Sequence, residues 1–437
     1  MNSKISINNQ IYHPKLQYFL QDWVVIISAT LFFFFEFIQM NMFNTVEPYL
    51  SEAFKTNATS IGGLSAAYFY GNIIFLFPAG ILLDKYSVKR LLIAAFAFCI
   101  IFTFLFSVSV DLWQAEICRF FTGIGSSFCF LGCMSLIFRW FIIKKIALMT
   151  GIVVSIAMMG GVFAQAPFLK LIQMFGWRHA IMFNVFMGIF LLVVLSCFVK
   201  DYPVNFIHRN REDIGLSNTI SVVSVFNVIR NSQNWFCGIY TSLMNLPIVI
   251  LGAIWGTVYL VHVRHTTFLQ GSYITSLIFC GIIIGSPIFG WIANFFDSRR
   301  VPMIFGVILA IFLVAILIFY PTLNFHALML LFFTIGFVSG AQVLPFSLIA
   351  SNNNICSIAA AEGISSTIVM CGGAIFQPLF GSVLDWNWLG TIANGVRVYT
   401  PHAYNKAMMI IFLSLITTFI VSLFIEEKKW DKKAVYK

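Results

Sequence analysis

Two ionisable side chains inside long apolar stretches, Glu36 and Arg119, are the first candidates for chemistry. Glu36 lies in a phenylalanine-rich run, residues 32–37, and Arg119 is the only Lys or Arg that lies away from the ends of a predicted membrane span. Placing an ionised group in hydrocarbon costs free energy unless the group faces a polar cavity, pairs with a partner or is neutralised by a proton. We therefore predict that Glu36 binds a substrate ammonium or a coupling proton. Arg119 is predicted to bind a substrate carboxylate through a bidentate pair, or to hold the coupling carboxylate in its correct state.

Each of these two residues also has a structural interpretation. A neutral Glu36 would hydrogen-bond a neighbouring helix. Glu116 lies three residues before Arg119, on the same helical face, and the two would form a salt bridge. Further polar and aromatic candidates for a substrate site are Gln39, Asn41, Gln165, Asn245, Trp255, Tyr259, Gln342 and Gln377. The alternative for the amides is an interhelical hydrogen bond, and for the aromatic pair it is packing.

The elements that must position these residues are membrane helices. The chain has 437 residues, of which 60% are hydrophobic and 10% charged. A spanning helix needs roughly 20 apolar residues. Runs of that length occur at about 23–45, 60–83, 89–110, 112–138, 146–172, 178–199, 234–261, 271–295, 301–320, 326–350, 358–384 and 405–425, which we number spans 1 to 12. The sequence therefore predicts an all-α membrane protein.

The positive charges are distributed unevenly between the two sides of these spans. With the N-terminus on the cytoplasmic side, nineteen of the 26 Lys and Arg fall inside and six outside. The positive-inside rule therefore predicts that both termini are cytoplasmic. The net charge of +10 then reflects topology and contact with membrane lipids rather than nucleic acid. The first 22 residues contain no cleavable signal peptide.

The chain contains an internal repeat. Residues 80–90 recur in altered form at 290–300, and residues 150–165 resemble 362–377 at an offset of 212. Span 4 thus corresponds to span 10, and span 5 to span 11. This predicts a cytoplasmic segment 1–22, a six-helix half 23–199, a cytoplasmic linker 200–233, a second six-helix half 234–425 and a basic tail 426–437. Two related halves are typical of solute carriers.

The loop after span 2 and the start of span 4 carry the residues of a family resemblance. Gly80, Asp84, Lys85, Lys89 and Arg90 match the signature G-x-x-x-D-[RK]-x-G-x-[RK]-[RK], with Ser87 where glycine is usual. Arg119, Gly123 and Gly125 match R-x-x-x-G-x-[GSA]. Both resemble the major facilitator superfamily, and the similarity covers nearly the whole chain. It implies a fold of two six-helix halves and a monomer.

The same resemblance implies a gate. In that family the acid at the position of Asp84 braces the N-terminus of span 11 when the cytoplasmic side is closed, using the helix dipole. The gating residues that we predict are Gly80, Asp84, Lys85, Lys89 and Arg90, with Gly290, Asp297, Arg299 and Arg300 in the second copy. The Gly-Pro antiporter signature of span 5 is missing, which disfavours proton-coupled drug efflux.

Finer stretches resemble the phagosomal nutrient transporters of intracellular bacteria. These include Phe34 to Phe37, Trp255 to Leu260 and Ser339 to Val343, whereas Met40 stands where many relatives have a basic residue. The resemblance implies a multi-pass protein of the bacterial inner membrane. It also implies proton-coupled import of an amino acid, isoleucine or another branched-chain residue or asparagine, by alternating access.

Two functions other than amino-acid import stay open, whereas the sequence predicts neither an enzyme nor a metal or cofactor site. A transporter of siderophores or other organic anions would use the cations, and a non-transporting membrane sensor or assembly factor would keep only the fold. No nucleophile, base and orienting group recur in a polar region, so we predict no enzyme. The nine Cys lie almost entirely in apolar helices without a C-x-x-C pair, so we predict neither metal nor cofactor.

Overall fold

The computed structural model describes residues 14–141, 143–203, 228–320, 322–353, 358–393 and 396–427. In the first half, the helices are Pro14–Asn41, Phe43–Phe54, Ala58–Lys85, Val88–Ser107, Leu112–Trp140, Ile143–Phe163, Ala166–Phe175 and Trp177–Phe198. In the second, they are Ser232–Met244, Gly256–Arg264, Phe268–Phe295, Arg300–Phe319, Phe325–Ser339, Leu344–Asn352, Ile358–Trp386 and Pro401–Phe424, with a π-helical segment Ile248–Trp255 and a 3-10 turn Gly340–Val343. Two short strands, Ile392–Ala393 and Val396–Arg397, pair antiparallel as a hairpin.

These helices confirm the all-α fold. Eleven helices in the described residues are long and apolar enough to cross a membrane. The bent pair Ser232–Met244 and Ile248–Arg264, with an angle of 40°, makes a twelfth span if it is counted as one. Most of the predicted linker 200–233, most of segment 1–22 and most of the tail 426–437 lie outside the described residues, so those boundaries remain predictions.

Three predicted spans contain breaks that periodicity alone does not reveal. Span 1 ends at Asn41 and continues as Phe43–Phe54, so it is longer than predicted. Span 5 breaks at Gln165 just before Pro167, because proline has no N–H and cannot continue the helical hydrogen-bond pattern. Span 7 runs through the π-helical segment Ile248–Trp255. Such segments are rare and are frequently found at functional sites.

The two ends of the helical bundle carry different loops, and we name each end after its loop. The hairpin side is the end that carries residues 55–57, Gly176, His265 and the strands Ile392–Ala393 and Val396–Arg397. The linker side is the opposite end, where the segment 199–203 follows span 6. The positive-inside rule predicts that the linker side is cytoplasmic.

The two halves touch through reciprocal contacts of glycine with phenylalanine. A Cβ on Gly161 of span 5 would lie 2.6 Å from the ring of Phe279 in span 8. A Cβ on Gly373 of span 11 would lie 2.6 Å from the ring of Phe69 in span 2. Gly161 and Gly373 are repeat mates, so the same device is used once from each half. Both glycines let helices of opposite halves approach closely.

A third close approach involves backbone atoms on the hairpin side. A Cβ on Gly381 of span 11 would lie 2.3 Å from the carbonyl oxygen of Ala58, the first residue of the span 2 helix. A backbone carbonyl at a helix start cannot turn aside as a flexible side chain can. By contrast, a Cβ built on Gly363, in the same span, has no atom of the described residues within 4 Å.

We expect Gly381→Ala to destabilise the protein, because the added methyl group must push spans 2 and 11 apart. Overpacking of this kind costs about 1–3 kcal/mol. Gly363→Ala is the matched control, and it should be neutral or stabilising by up to about 1 kcal/mol because alanine favours helix. Thermal unfolding of both variants in detergent measures the difference. Equal melting temperatures for the two variants would show that the contact at Gly381 is not close.

Matching acids cap the helix after each signature loop. Asp201 accepts hydrogen bonds from the Ser87 hydroxyl at 2.5 Å and the Lys89 backbone N–H at 2.9 Å. Ser87 in turn accepts from the N–H of Arg90, as the N-cap of Val88–Ser107. This explains why serine is useful where the signature has glycine. In the second half, Glu427 accepts from the Ser298 hydroxyl and from the backbone N–H groups of Arg299 and Arg300.

These bonds affect the titration of Glu427. Partial burial acts to raise its pKa, but the hydrogen bonds from Ser298, Arg299 and Arg300 outweigh burial and hold the pKa below its ordinary value. A carboxyl whose pKa is lower in the folded state stabilises that state above its unfolded pKa of about 4.3, and this stabilisation is lost as the pH falls through the folded pKa.

We therefore expect Glu427→Gln to lower the melting temperature at neutral pH and to have no effect once the pH is low enough to protonate Glu427. The neighbouring, exposed Glu426 provides the control, because Glu426→Gln removes the same charge without touching the cap. Melting curves between pH 3 and pH 8, on the order of the range in which carboxyls titrate, test this. A pH-independent effect would mean that the ionised form of Glu427 is not what stabilises the loop.

Candidate substrate-binding site

A cluster of buried polar side chains lies between spans 1, 2, 3 and 4, and we call it the N-half cluster. It consists of Glu36, Tyr68, Asn72, Cys99, Arg119 and Ser126. The Tyr68 hydroxyl donates to Glu36 Oε2 at 3.1 Å, and the Cys99 thiol donates to the Thr122 carbonyl at 3.5 Å. Asn72 donates to the Ser126 hydroxyl at 2.8 Å. The two residues that sequence alone singled out thus lie in one cluster.

The spacing of Arg119 and Gly123 explains how Arg119 reaches the cluster. Residues four apart share a helix face. A Cβ on Gly123 would lie 1.9 Å from the carbonyl oxygen of Tyr68, so the missing side chain lets span 4 touch span 2 directly. Arg119, one turn earlier, then lies with its guanidinium carbon 4.9 Å from the centre of the Tyr68 ring. The R-x-x-x-G signature therefore encodes a contact between two helices.

The guanidinium of Arg119 has aromatic neighbours and no hydrogen-bond partner. Its central carbon lies 4.8 Å from the Phe43 ring and 4.9 Å from the Tyr68 ring, at distances suited to cation–π attraction. The residue is 1% exposed, and none of its three nitrogens donates a hydrogen bond to the described part of the chain. No ion pair joins it to Glu116 or Glu36. The predicted salt bridge with Glu116 is therefore not formed here.

Other buried polar atoms beside the cluster also lack partners. Glu36 Oε1, Asn72 Oδ1 and Ser65 Oγ accept or donate no hydrogen bond among the described residues. Ser65, Tyr68 and Asn72 lie three and four residues apart on span 2, so they share one face of that helix. Buried polar groups normally find partners, and unpaired ones often mark functional positions. The guanidinium of Arg119, with free N–H donors, can bind a carboxylate of a ligand. The free oxygen of Glu36 can accept a hydrogen bond from an ammonium group or take up a proton.

Two further candidates in span 1 point in different directions. Gln39 donates to the Thr103 hydroxyl in span 3 at 3.0 Å, which places its amide inside the first half. Asn41 donates to Phe37 of its own helix at 2.7 Å, while its Oδ1 has no partner among the described residues. Met40 packs with Tyr68, Phe69 and Ala374, so this part of span 1 faces the second half.

Gln165 joins the two halves on the hairpin side. Its Nε2 donates to the carbonyl of Gly252 at 2.9 Å, and its Oε1 accepts from the Thr275 hydroxyl at 3.0 Å and from Asn44. Asn44 also accepts from the backbone N–H of Thr257 at 2.9 Å. We call Asn44, Gln165, Gly252, Thr257 and Thr275 the closing network. In this conformation the Gln165 amide is used to hold the halves together.

Its repeat mate Gln377 uses the same segment of span 7 within the second half. Nε2 of Gln377 donates to the carbonyl of Val249 at 3.1 Å, and its Oε1 has no partner among the described residues. Trp255 is buried and stacks on Phe380 with ring centres 5.5 Å apart. Val249, Gly252 and Trp255 all belong to the π-helical segment, so both glutamines meet span 7 where its hydrogen-bonding pattern is irregular.

The remaining candidates of the second half, Tyr259, Asn245 and Gln342, lie away from the N-half cluster. Tyr259 donates to the carbonyl of Leu317 at 3.1 Å and so points to span 9, inside its own half. Asn245 lies half-buried at the end of Ser232–Met244. Gln342 is buried in the 3-10 turn of span 10, and its backbone oxygen accepts from Thr241. None of these three contacts the N-half cluster through a hydrogen bond in the described residues.

The predicted gating residues lie together on the linker side. Lys85 and Arg90 are exposed, and the Lys89 backbone is bound by Asp201. Arg300 donates to the carbonyl of Leu423 at 2.6 Å, and Asp297 has a left-handed backbone with φ of 46°. The side chain of Asp84 lies outside the described part of the chain. The described atom nearest to a Cβ built on Gly80 is Leu131 Cδ1, at 4.0 Å. No described atom lies within 4 Å of a Cβ built on Gly290.

Sequence reasoning missed several residues that the structure brings to the site. Tyr68, Asn72 and Phe43 were not singled out. Phe43 lies seven residues after Glu36, close to one face of the helix, and that spacing is the signal that identifies it. Tyr68 and Asn72 are four apart in an apolar span, which is a weaker signal because 17% of the chain is aromatic.

The chain matches known transporters over most of its length. Residues 29–354 match the family model described as Major Facilitator Superfamily. The 4-hydroxybenzoate transporter PcaK of Pseudomonas aeruginosa is 22% identical over 324 residues, which are 66% of this chain and 70% of that protein.

Two solved structures have the same fold. One is a bacterial homolog to the human lysosomal transporter Spinster in an inward-facing and unoccupied conformation, with 14% identity, a TM-score of 0.73, and coverage of 93% of this chain and 98% of that chain. The nucleoside transporter NupG has 11% identity and a TM-score of 0.71, covering 92% of this chain and 100% of that chain.

An exposed arginine of the first half, Arg178, provides a comparison that tests what the buried Arg119 is for. Arg178 donates to the carbonyls of Ser107 and Ser109 at 3.3 and 2.9 Å, so its role is structural. We expect Arg178→Met to lower the free energy of unfolding by about 1–2 kcal/mol because two acceptors lose their donor. Arg119→Met loses no hydrogen bond and should leave stability unchanged or raise it by up to about 2 kcal/mol.

Thermal unfolding of purified protein in detergent, without added ligand, measures both effects. If Arg119→Met destabilises the protein as much as Arg178→Met does, then Arg119 is a structural residue.

Proposed function

The chain belongs to the Major Facilitator Superfamily, and on this basis we propose that it imports an amino acid together with a proton, by alternating access. The family and the multi-pass helical fold establish a transporter of small organic molecules and not an enzyme. The buried guanidinium of Arg119, with no hydrogen-bond partner among the described residues, is the observation that carries the finer proposal.

Arg119 supplies the carboxylate-binding part of the proposed site. A planar guanidinium presents parallel N–H groups that match a carboxylate, and such bidentate pairs are strong in a dry environment. The rings of Phe43 and Tyr68 limit the directions from which a ligand can reach the charge. We assign the substrate carboxylate to Arg119 Nη1 and Nη2.

Two amide oxygens near the contact between the halves are assigned to the substrate ammonium. Asn41 Oδ1 and Gln377 Oε1 are both buried and have no partner among the described residues. Met40, next to Asn41, packs in the same group as Ala374, which lies one turn before Gln377. A substrate held by Arg119 of the first half and Gln377 of the second spans the interface, as expected for a site near the bilayer midplane.

Proton coupling follows from the charges around Glu36. Tyr68 lies between the two charges: its hydroxyl donates to Glu36 at 3.1 Å and its ring lies 4.9 Å from the guanidinium carbon of Arg119, so Arg119 is a nearby cation that favours an ionised Glu36. When a substrate carboxylate pairs with the guanidinium, that stabilisation is largely cancelled, and a buried carboxylate without a compensating cation favours its neutral form. Glu36 then takes up a proton as the substrate binds, so the two move together. The Lys and Arg distribution supports placing the hairpin side outside the cell.

A second candidate function is transport of an organic anion without an ammonium group. It is favoured by the same guanidinium and by the similarity to a 4-hydroxybenzoate transporter, at 22% identity. Such a ligand would use Arg119 and Glu36 in the same way and would not need Asn41 or Gln377. The resemblance to the phagosomal nutrient transporters supports the amino-acid proposal, with branched-chain residues and asparagine as the first substrates to test.

Uptake into proteoliposomes tests both candidates. We expect one radiolabelled amino acid to accumulate when an inward proton gradient is imposed, and Glu36→Gln to abolish this accumulation while retaining exchange of labelled for unlabelled substrate. Arg119→Gln should weaken substrate binding at least about 100-fold, since it removes a charge-assisted pair. Glu116→Gln is the control for Glu36→Gln: it makes the same Glu-to-Gln change in span 4, outside the cluster, and should behave as wild type.

The outcomes separate the alternatives. Accumulation of 4-hydroxybenzoate or another simple carboxylate, and of no amino acid, would replace the first proposal with the second. Loss of exchange as well as accumulation in Glu36→Gln would show that Glu36 binds substrate and not the coupling proton. No uptake of any tested amino acid or simple carboxylate by folded, oriented protein would overturn both proposed substrate classes.

A further inference from the structure

A carboxylate of the second half binds the first helical turn of span 2 in the first half. Asp385, at the C-terminal end of Ile358–Trp386, accepts through Oδ2 from the backbone N–H of Thr59 at 2.9 Å and from the Thr59 hydroxyl. The first N–H groups of a helix have no partner within the helix. Asp385 therefore supplies an acceptor and a negative charge where the helix dipole favours both.

The second half holds this carboxylate in place from its other side. Oδ1 of Asp385 accepts from the Arg397 guanidinium at 3.0 Å and from the Tyr399 hydroxyl at 2.6 Å. The ring of Trp388 lies 4.4 Å from the guanidinium carbon of Arg397 and restricts it further. The short hairpin after span 11 thus fixes the direction in which Asp385 points.

Tyr399 extends the contact by one more residue. Its hydroxyl donates to Asp385 and accepts from the backbone N–H of Ala58 at 3.0 Å. Asn57, the N-cap of the same helix, accepts from the N–H of Ser60 at 2.9 Å. Of these three N–H groups in the first turn of span 2, the second half therefore satisfies two, at Ala58 and Thr59.

We propose that Asp385 is the gate residue that closes the hairpin side during transport, by capping span 2 only when the two halves are together at that side. When the halves separate there, Thr59 and Ala58 exchange Asp385 and Tyr399 for water. The inference rests on alternating access, which the family provides, and not on the identity of the substrate. It assigns a mechanical role to Asp385, Arg397 and Tyr399, which the sequence alone does not single out.

The antiparallel contact of spans 2 and 11 gives this gate a counterpart. Span 2 carries Asp84 at its C-terminal end, which lies at the same end of the bundle as the start of Ile358–Trp386. Span 11 carries Asp385 at its own C-terminal end, beside the start of span 2. Each helix of the pair thus has an acid at its C-terminal end, and the two acids lie at opposite ends of the bundle.

The gate is tested by measuring the separation of the halves without any substrate. Spin labels at Met174 and Tyr320, exposed positions at the hairpin-side ends of spans 5 and 9, report that separation by pulsed EPR in lipid nanodiscs, with the accessible native cysteines replaced by serine. We expect a dominant short distance in the parent protein. Asp385→Asn should lower the ratio of closed to open populations on the order of tenfold, because it weakens charge-assisted hydrogen bonds across the interface.

Two further variants make the result decisive. Thr59→Val removes the hydroxyl donor from the other half and should shift the populations in the same direction, by a smaller factor. Asp111→Asn removes an exposed carboxylate on the same side that caps nothing through its side chain, and it should leave the distances unchanged. If Asp385→Asn and Thr59→Val both match the Asp111→Asn control in folded protein, the gate assignment is overturned. Failure to find an amino-acid substrate would leave this measurement unaffected.

Discussion

The need to compensate an ionised side chain inside a bilayer is the constraint from which most of this structure follows. Arg119 has two aromatic rings beside it, and Glu36 accepts a hydrogen bond from the Tyr68 hydroxyl. Span 4 can bring Arg119 to Tyr68 only because Gly123 has no side chain. The proposed recognition of a carboxylate and the hydrogen bonds between the halves therefore depend in part on the same helices, spans 1 and 2.

The two halves resemble each other in sequence, but matching residues make different contacts. The glycines Gly161 and Gly373 are used symmetrically, each against a phenylalanine of the opposite half. The glutamines Gln165 and Gln377 are not: one joins the halves and the other stays within its own, although both donate to the π-helical segment of span 7. In the described residues, all hydrogen bonds between the halves lie from the middle of the bundle to the hairpin side.

Periodicity, composition and an internal repeat were enough to predict the class of fold, because a bilayer permits few alternatives to apolar helices. Glu36 and Arg119 were predictable as site residues for the same reason. Orientation within a span was not: Gln39 and Tyr259 turn into their own halves, since a rotation of a few tens of degrees decides which neighbour an amide or a phenol meets. The break of span 1 and the π-helical segment depend on tertiary contacts that no local pattern records.

The buried charge of span 4 also bears on how the protein is made. A spanning helix enters the bilayer one segment at a time, and a charged residue such as an arginine opposes this, by up to about 2.5–3.5 kcal/mol at the helix centre. Span 4 has one of the lowest mean hydropathies in the chain, whereas span 9 has the highest. Span 4 is emerging from the ribosome after spans 1 and 2, which carry Glu36 and Tyr68. Because of this order of synthesis, Glu36 and Tyr68, the neighbours of Arg119 in the cluster, are already in place before span 4 leaves the translocon.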